Sequence, residues 1–156
     1  KRMGYADEEL EKLYYAALLH DIGKIGVPRE IINKTSKLTD EEYEIIKTHP
    51  GIGANILNEV SEIPDIAIGA RWHHERYDGK GYPDRLMGIE IPEPARIIGV
   101  ADAYDAMTSK RSYRDVLPQE VVSSELIKGK GTQFDPTIAD IMLQLIKEDD
   151  TYTMHE

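Results

Sequence analysis

The sequence predicts an all-α fold, a compact bundle of about six or seven helices. Three features carry that expectation. Apolar residues recur at three- and four-residue spacing along most of the chain, capping residues stand where those segments begin, and no stretch alternates apolar and polar residues as a half-buried strand does. No internal repeat is visible either.

In chain order, Asp7 stands as the N-cap of a helix running to about Asp21, with Leu10, Leu13, Tyr14, Ala17 and Leu18 on one face. Gly23 supplies its stop. Pro28 opens a short helical turn through about Asn33. Thr39 and Glu42 form a capping box for a helix that ends before Pro50, with His49 at the junction. Further helices are expected from Ile52 to Val60, and from near Pro64 to His73 and His74. Tyr77 to Pro94, rich in glycine and proline, reads as a long functional loop. Helix resumes near Ala95 and continues through Asp102 and Asp105 to about Ser109. Pro118 at an N1 position starts the next, which Gly129 and Gly131 end, and Asp135-Pro136 caps a last helix to about Lys147.

Composition narrows the function classes. The chain has 156 residues, enough for a single domain over residues 1–156, with 40% hydrophobic and 31% charged residues. Without cysteine it has neither disulfides nor thiolate metal ligands. It has no apolar run long enough for a membrane span and no signal peptide, so membrane insertion is not expected and a cytoplasmic location is. Lysine and arginine total 19 against 29 acids, a net charge of −10 that argues against DNA binding. A small phosphate ligand stays compatible where metals or a few arginines reverse the field locally.

The chemistry concentrates at histidines near helix ends. His20 and Asp21 close the first apolar run, side by side and about 100° apart on a helix. An imidazole nitrogen with a carboxylate oxygen suits Zn, Fe or Mn. His49 ends a later segment, His73 and His74 another, and Asp102 lies in the helix after them. Each has a plainer reading: His49 as a helix C-terminal cation, His73-His74 as a core edge, Asp102 as an acid on a solvated face. Together, the six groups could supply two adjacent metals, with Asp21 bridging both. The fifth histidine, His155, belongs to a frayed tail.

The segments His20-Asp21-Ile22-Gly23-Lys24, His49-Pro50, His73-His74-Glu75-Arg76-Tyr77-Asp78-Gly79-Lys80-Gly81-Tyr82-Pro83, Val100-Ala101-Asp102, Ser109 to Arg114 and Phe134-Asp135-Pro136 resemble, in order, those of the HD-GYP domains. These form a branch of the HD phosphohydrolase superfamily that degrades the bacterial second messenger cyclic di-GMP. The resemblance spans about Leu13 to Ile146. It implies an HD-type helical fold and makes His20, Asp21, His49, His73, His74 and Asp102 metal ligands, with Asp21 bridging two ions, commonly iron or manganese, and a third in some members. Two cations about 3.5–4 Å apart share a hydroxide and stabilise the attacking and leaving oxygens of an in-line displacement. Lys24 would neutralise a phosphate oxygen, though a helix-end lysine is its plainer reading. Gly81 and Tyr82 would form a substrate wall, with Tyr82 stacking on guanine, or simply a turn with an exposed tyrosine. Arg111 and Arg114 resemble the phosphate-contacting pair, against a solvated charge face, and Ser112 stands where proline is common.

One departure matters. The family pattern has a further histidine on a preceding helix, and no histidine precedes His20. Either the chain begins after that helix or the ligand is lost; an opening on Lys1 rather than methionine favours the first. The resemblance thus implies a phosphodiesterase opening cyclic di-GMP to pGpG, and onward to GMP, behind an N-terminal sensory or receiver domain, and it is compatible with a homodimer. The alternative is an impaired regulatory domain that binds a cyclic dinucleotide or partner signalling domains. A third reading keeps the enzyme with another cyclic dinucleotide or a phosphomonoester as substrate.

Overall fold

A computed structural model describes residues 1–60, 65–109, 116–151, 153 and 154. Its described residues form eight α-helical segments and no strand. They are α1 (Asp7–Leu18), α2 (Arg29–Ile32), α3 (Asp40–Ile46), α4 (His49–Val60), α5 (Ala67–Trp72), α6 (Glu93–Thr108), α7 (Gln119–Gly129) and α8 (Pro136–Glu148), with 3₁₀ turns at Ile22–Gly26 and Gly88–Glu90. α2 is a single turn, so the all-α expectation of six or seven helices holds.

Local chemistry explains most helix starts. The Ala6 N–H donates to Glu9 at 2.8 Å, and Asp7, Glu8 and Glu9 place negative charge on the first turn of α1. Asp7 is thus the first helical residue rather than the cap. The Thr39–Glu42 box forms as expected: the Glu42 N–H donates to Thr39 Oγ1 at 3.2 Å, and the Thr39 N–H to Glu42 Oε2 at 2.8 Å. Asp135 caps α8 by accepting from the Thr137 and Ile138 N–H groups at 2.8 and 3.3 Å.

Five boundaries differ from the sequence expectation. α1 stops at Leu18, so His20 and Asp21 lie in the turn that leads into the Ile22–Gly26 3₁₀ segment. His49 opens α4 instead of closing α3, because Pro50 sits in a first turn, where its missing N–H has no partner to lose. For the same reason α6 starts at Glu93, with Pro94 in its first turn. Pro118 is the N-cap of α7, one place before N1. α5 ends at Trp72, with His73 as its C-cap, and the expected start at Pro64 lies outside the described residues.

α6 is the central helix. Val100 and Tyr104 pack into a core with Val122 and Leu126 of α7, Phe134, and Ile138, Ala139 and Ile146 of α8. Ile98 joins a second core with Ala16, Leu57, Ile66 and Ala70, on the side of α1, α4 and α5. Asp102 is carried between the two. Arg96 pins α6 to α8 through a buried ion pair with Asp135, while its Nε donates to Ile91 O at 2.9 Å. Leu126 is 0% exposed. Leu126→Ala is therefore expected to destabilise the protein by about 2–5 kcal/mol. A urea melt measures that loss, and metal content should not change, since Leu126 lies in the α6–α8 core.

Candidate metal centre

Three elements converge on Asp21. The turn after α1 carries His20 and Asp21, the first turn of α4 carries His49, and the C-terminal end of α5 carries His73 and His74. Donor atoms of Asp21, His49, His73 and His74 all lie within 4.8 Å of one another. His49 Nε2 is 3.4 Å from Asp21 Oδ1 and 3.4 Å from His73 Nε2, and His73 Nε2 is 3.8 Å from Asp21 Oδ1. His20 Nε2 stands 3.5 Å from the other oxygen, Asp21 Oδ2, and 3.7 Å from Asp102 Oδ1. The two Asp21 oxygens thus face two different donor groups.

The outer nitrogens explain why the inner ones point inward. Nδ1 of His20 lies 2.6 Å from Ala17 O, that of His49 2.7 Å from Ile46 O, and that of His73 2.9 Å from Gly69 O. Each carbonyl takes an Nδ1–H, which turns Nε2 toward the centre, where it offers a lone pair when the ring is neutral. His49 and His73 are 0% and 3% exposed. His74 is set by its neighbours' rings: it stacks on Tyr82 at 4.8 Å, and Tyr82 meets Tyr43 edge-on at 6.4 Å.

Electrostatics completes the donor set. Burial lowers the pKa of His73 to about 4, helped by the charge on His20, and that of His74 to about 3, helped by His73 and His49. Both imidazoles are neutral at pH 7. Burial opposes ionisation of Asp21, but His20, His49 and Lys24 outweigh it and hold the carboxyl far below the usual range. Asp102 is also held low, burial being outweighed by His20. On His20, burial works against the charge, yet Asp102, Asp21 and the Ala17 carbonyl prevail and raise the pKa to about 10.

The arrangement fits a divalent cation. Donors about 2.0–2.2 Å from one ion stand about 3–3.5 Å apart, close to the spacings around Asp21 Oδ1. His20 Nε2 and Asp21 Oδ1 are moreover buried without a hydrogen-bond partner among the described residues, an arrangement that a cation would relieve.

The remaining sequence candidates divide. Lys24 ion-pairs with Asp21 Oδ2 and is exposed. Tyr82 lines a ≈ 500 Å³ cleft with His73, His74 and Asp102. Gly81 packs against the chain's own backbone: a Cβ there would lie 2.4 Å from Arg76 N and 2.6 Å from His74 O. Arg111, Ser112, Arg114 and His155 lie outside the described residues. Sequence reasoning passed over Glu75, a buried carboxylate that accepts from the Asp84 N–H at 2.6 Å and ties down the loop after the cis Tyr82–Pro83 peptide. Its only signal was its place directly after His73-His74. Tyr43 gave none, being one aromatic on a short polar helix.

An HD-domain family model matches residues 1–138. Among curated relatives, a cyclic di-GMP phosphodiesterase of Thermotoga maritima is 42% identical over 151 residues, covering 95% of this chain and 41% of its own length. The cyclic di-GMP phosphodiesterase response regulator RpfG of Xanthomonas campestris is 41% identical over 147 residues, covering 92% and 39%. A 3′3′-cGAMP-specific phosphodiesterase of Vibrio cholerae is 38% identical over 143 residues, covering 90% and 27%. The chain therefore spans about two fifths or less of the length of these relatives. Another cyclic GMP-AMP-specific phosphodiesterase from V. cholerae, V-cGAP3, shares the fold at TM-score 0.70 and 21% identity, over 95% of this chain and 41% of that one. No helix among the described residues is long and apolar enough to cross a membrane. With its family match, its relatives and its fold in agreement, this chain belongs to the HD-domain family, in the HD-GYP branch.

Proposed function

We propose that the chain is the catalytic domain of a metal-dependent phosphodiesterase that opens cyclic di-GMP to linear pGpG. The observation that carries this is Asp21, whose Oδ1 faces His49 and His73 and whose Oδ2 faces His20, beside a cleft walled by Tyr82. On this reading His20, Asp21, His49, His73, His74 and Asp102 hold two divalent ions, iron or manganese, with room in the family for a third. Such ions supply Lewis acidity at the scissile phosphate and lower the pKa of water.

The chain's own residues do the rest. Asp21 and Asp102 stay ionised and His73 and His74 stay neutral at pH 7, so most of the donor set needs no proton removed before binding. Lys24 offers its ammonium to a phosphate oxygen from the rim. Gly81 sets Tyr82 against His74, and Tyr82 presents ring surface to a base. Arg111 and Arg114 stand as further phosphate contacts. On the same reading residues 1–156 act as one domain, working in the cytoplasm under an N-terminal sensory or receiver domain and compatible with a homodimer.

The relatives named for 3′3′-cGAMP support a second substrate from the same chemistry. The other reading is an impaired, binding-only domain of the same family. Anaerobic loading with Mn or Fe(II), followed by chromatography of a cyclic di-GMP digest, separates these readings. Linear pGpG is the expected product. Tight retention of intact cyclic di-GMP by metal-loaded protein would identify the binding-only domain, and faster cleavage of 3′3′-cGAMP in competition would reassign the substrate.

A further inference from the structure

A second cavity, of ≈ 650 Å³, adjoins the metal centre, and Tyr43 and Tyr82 line both it and the active cleft. Its charged lining is Lys47, Lys80 and Arg85 against a single carboxylate, Glu44. That local excess runs against a chain with 29 acids and 19 lysines and arginines. Glu44 is already neutralised by Lys47 at 2.5 Å, and Lys47 also lies over the Tyr43 ring at 5.4 Å. Lys80 and Arg85 are exposed, and neither makes an ion pair among the described residues.

Arg85 has a further peculiarity. Its φ is 57°, in the left-handed region that a residue with a side chain adopts at a cost and that concentrates where placement of a group matters. The surrounding contacts hold it there. Glu75 fixes the Asp84 N–H at 2.6 Å, and the Asp84 carboxylate is gripped by Arg71 at 2.9 and 3.0 Å and by Trp72 Nε1 at 2.8 Å. The residue before Arg85 is thus pinned at both backbone and side chain, and Arg85 itself lines the groove.

We infer that this groove is a second anion subsite, in which Arg85 and Lys80, with Lys47 at the edge, hold the phosphate of a cyclic dinucleotide that is not under attack at the metal centre. The inference rests on the cyclic-dinucleotide reading above. Such a substrate carries two phosphodiesters joined through nucleosides, and only one can occupy the metals at a time. The other needs a cationic seat across an aromatic wall, which Tyr43 and Tyr82 provide. A guanidinium fork matches two phosphate oxygens, and an ammonium adds a point charge. The same seat would accept the terminal phosphate of pGpG or free inorganic phosphate.

The test compares wild-type protein with the Arg85→Gly/Lys80→Ala double variant, both loaded with Mn. Two substrates are used: cyclic di-GMP, and bis(p-nitrophenyl) phosphate, which has one phosphodiester and cannot span both seats. The expected result is a KM for cyclic di-GMP raised about 10-fold relative to that for the small diester, with kcat for cyclic di-GMP changed far less. Glycine relieves the left-handed strain at position 85, so the melting temperature should hold or rise, which separates the effect from misfolding. An unchanged KM ratio overturns the subsite. If wild-type protein cleaves the small diester but not cyclic di-GMP, the substrate reading fails by itself. The subsite is then read from inhibition of that cleavage by pGpG: about 10-fold weaker inhibition of the variant keeps it, and equal inhibition overturns it. Inhibition by inorganic phosphate weakened in the variant while the KM ratio stays unchanged would assign the seat to free phosphate and overturn its assignment to the substrate.

Discussion

Asp21→Ala is expected to strip the protein of bound metal and take phosphodiesterase turnover below detection, while leaving the helical content intact. Among the described residues, Asp21 is the one whose side chain reaches both donor groups, Oδ1 toward His49 and His73 and Oδ2 toward His20. Removing a partner outside the ligand shell typically lowers metal affinity about 10–100-fold, so loss of the shared carboxylate should exceed about 100-fold. The electrostatic consequence adds to this. Asp21 and Asp102 are the two carboxylates beside His20, and without Asp21 the imidazoles would have to receive a divalent charge with one anion fewer. Elemental analysis after dialysis measures the metal, and product chromatography measures turnover. Asp21→Asn refines the result: it keeps the shape and one carbonyl oxygen but loses the charge, and should fall close to the alanine variant. Full metal content with normal turnover in Asp21→Ala would remove this residue from the centre of the mechanism.

The fold and the site were legible to different depths, for physical reasons. The Thr39–Glu42 box and the Asp135 cap could be read because each is settled by residues within three positions of one another. The His49 boundary could not. Proline disfavours helix in the residue before it and is equally welcome in a first turn, so Pro50 supports either an ending or a beginning. What decides between them is tertiary: the His49 backbone packs against Gly23, and no local pattern announces that. The donor set was legible as residue types in an ordered motif, whereas the Nδ1 contacts with Ala17, Ile46 and Gly69 depend on carbonyls, which any residue carries. The conformation of Arg85 was equally hidden, since an arginine gives no sign of a left-handed backbone and its support comes through Glu75 and Asp84.

Gly23→Ala should be nearly as damaging as the loss of Asp21, by a different route. A Cβ at position 23 would lie 1.9 Å from the His49 carbonyl oxygen and 2.5 Å from the Gly53 nitrogen, both backbone atoms that cannot swing aside. To reach ordinary contact, the 3₁₀ turn and α4 must separate by roughly 1.5 Å, which carries Asp21 away from His49 and lengthens the 3.4 Å gap between their donor atoms. Such overpacking typically costs about 1–3 kcal/mol, and this site should lie at or beyond the upper end because both surfaces are backbone. Two signals are then expected together: a lower urea midpoint for the metal-free protein and sharply reduced metal retention. Gly51→Ala is the matched control. It lies in the first turn of α4, nothing comes within 4 Å of its added Cβ, and in a helix the change should be neutral or stabilising by up to about 1 kcal/mol. If Gly23→Ala behaved like Gly51→Ala in both assays, close approach of the 3₁₀ turn to α4 would not be what assembles the metal centre.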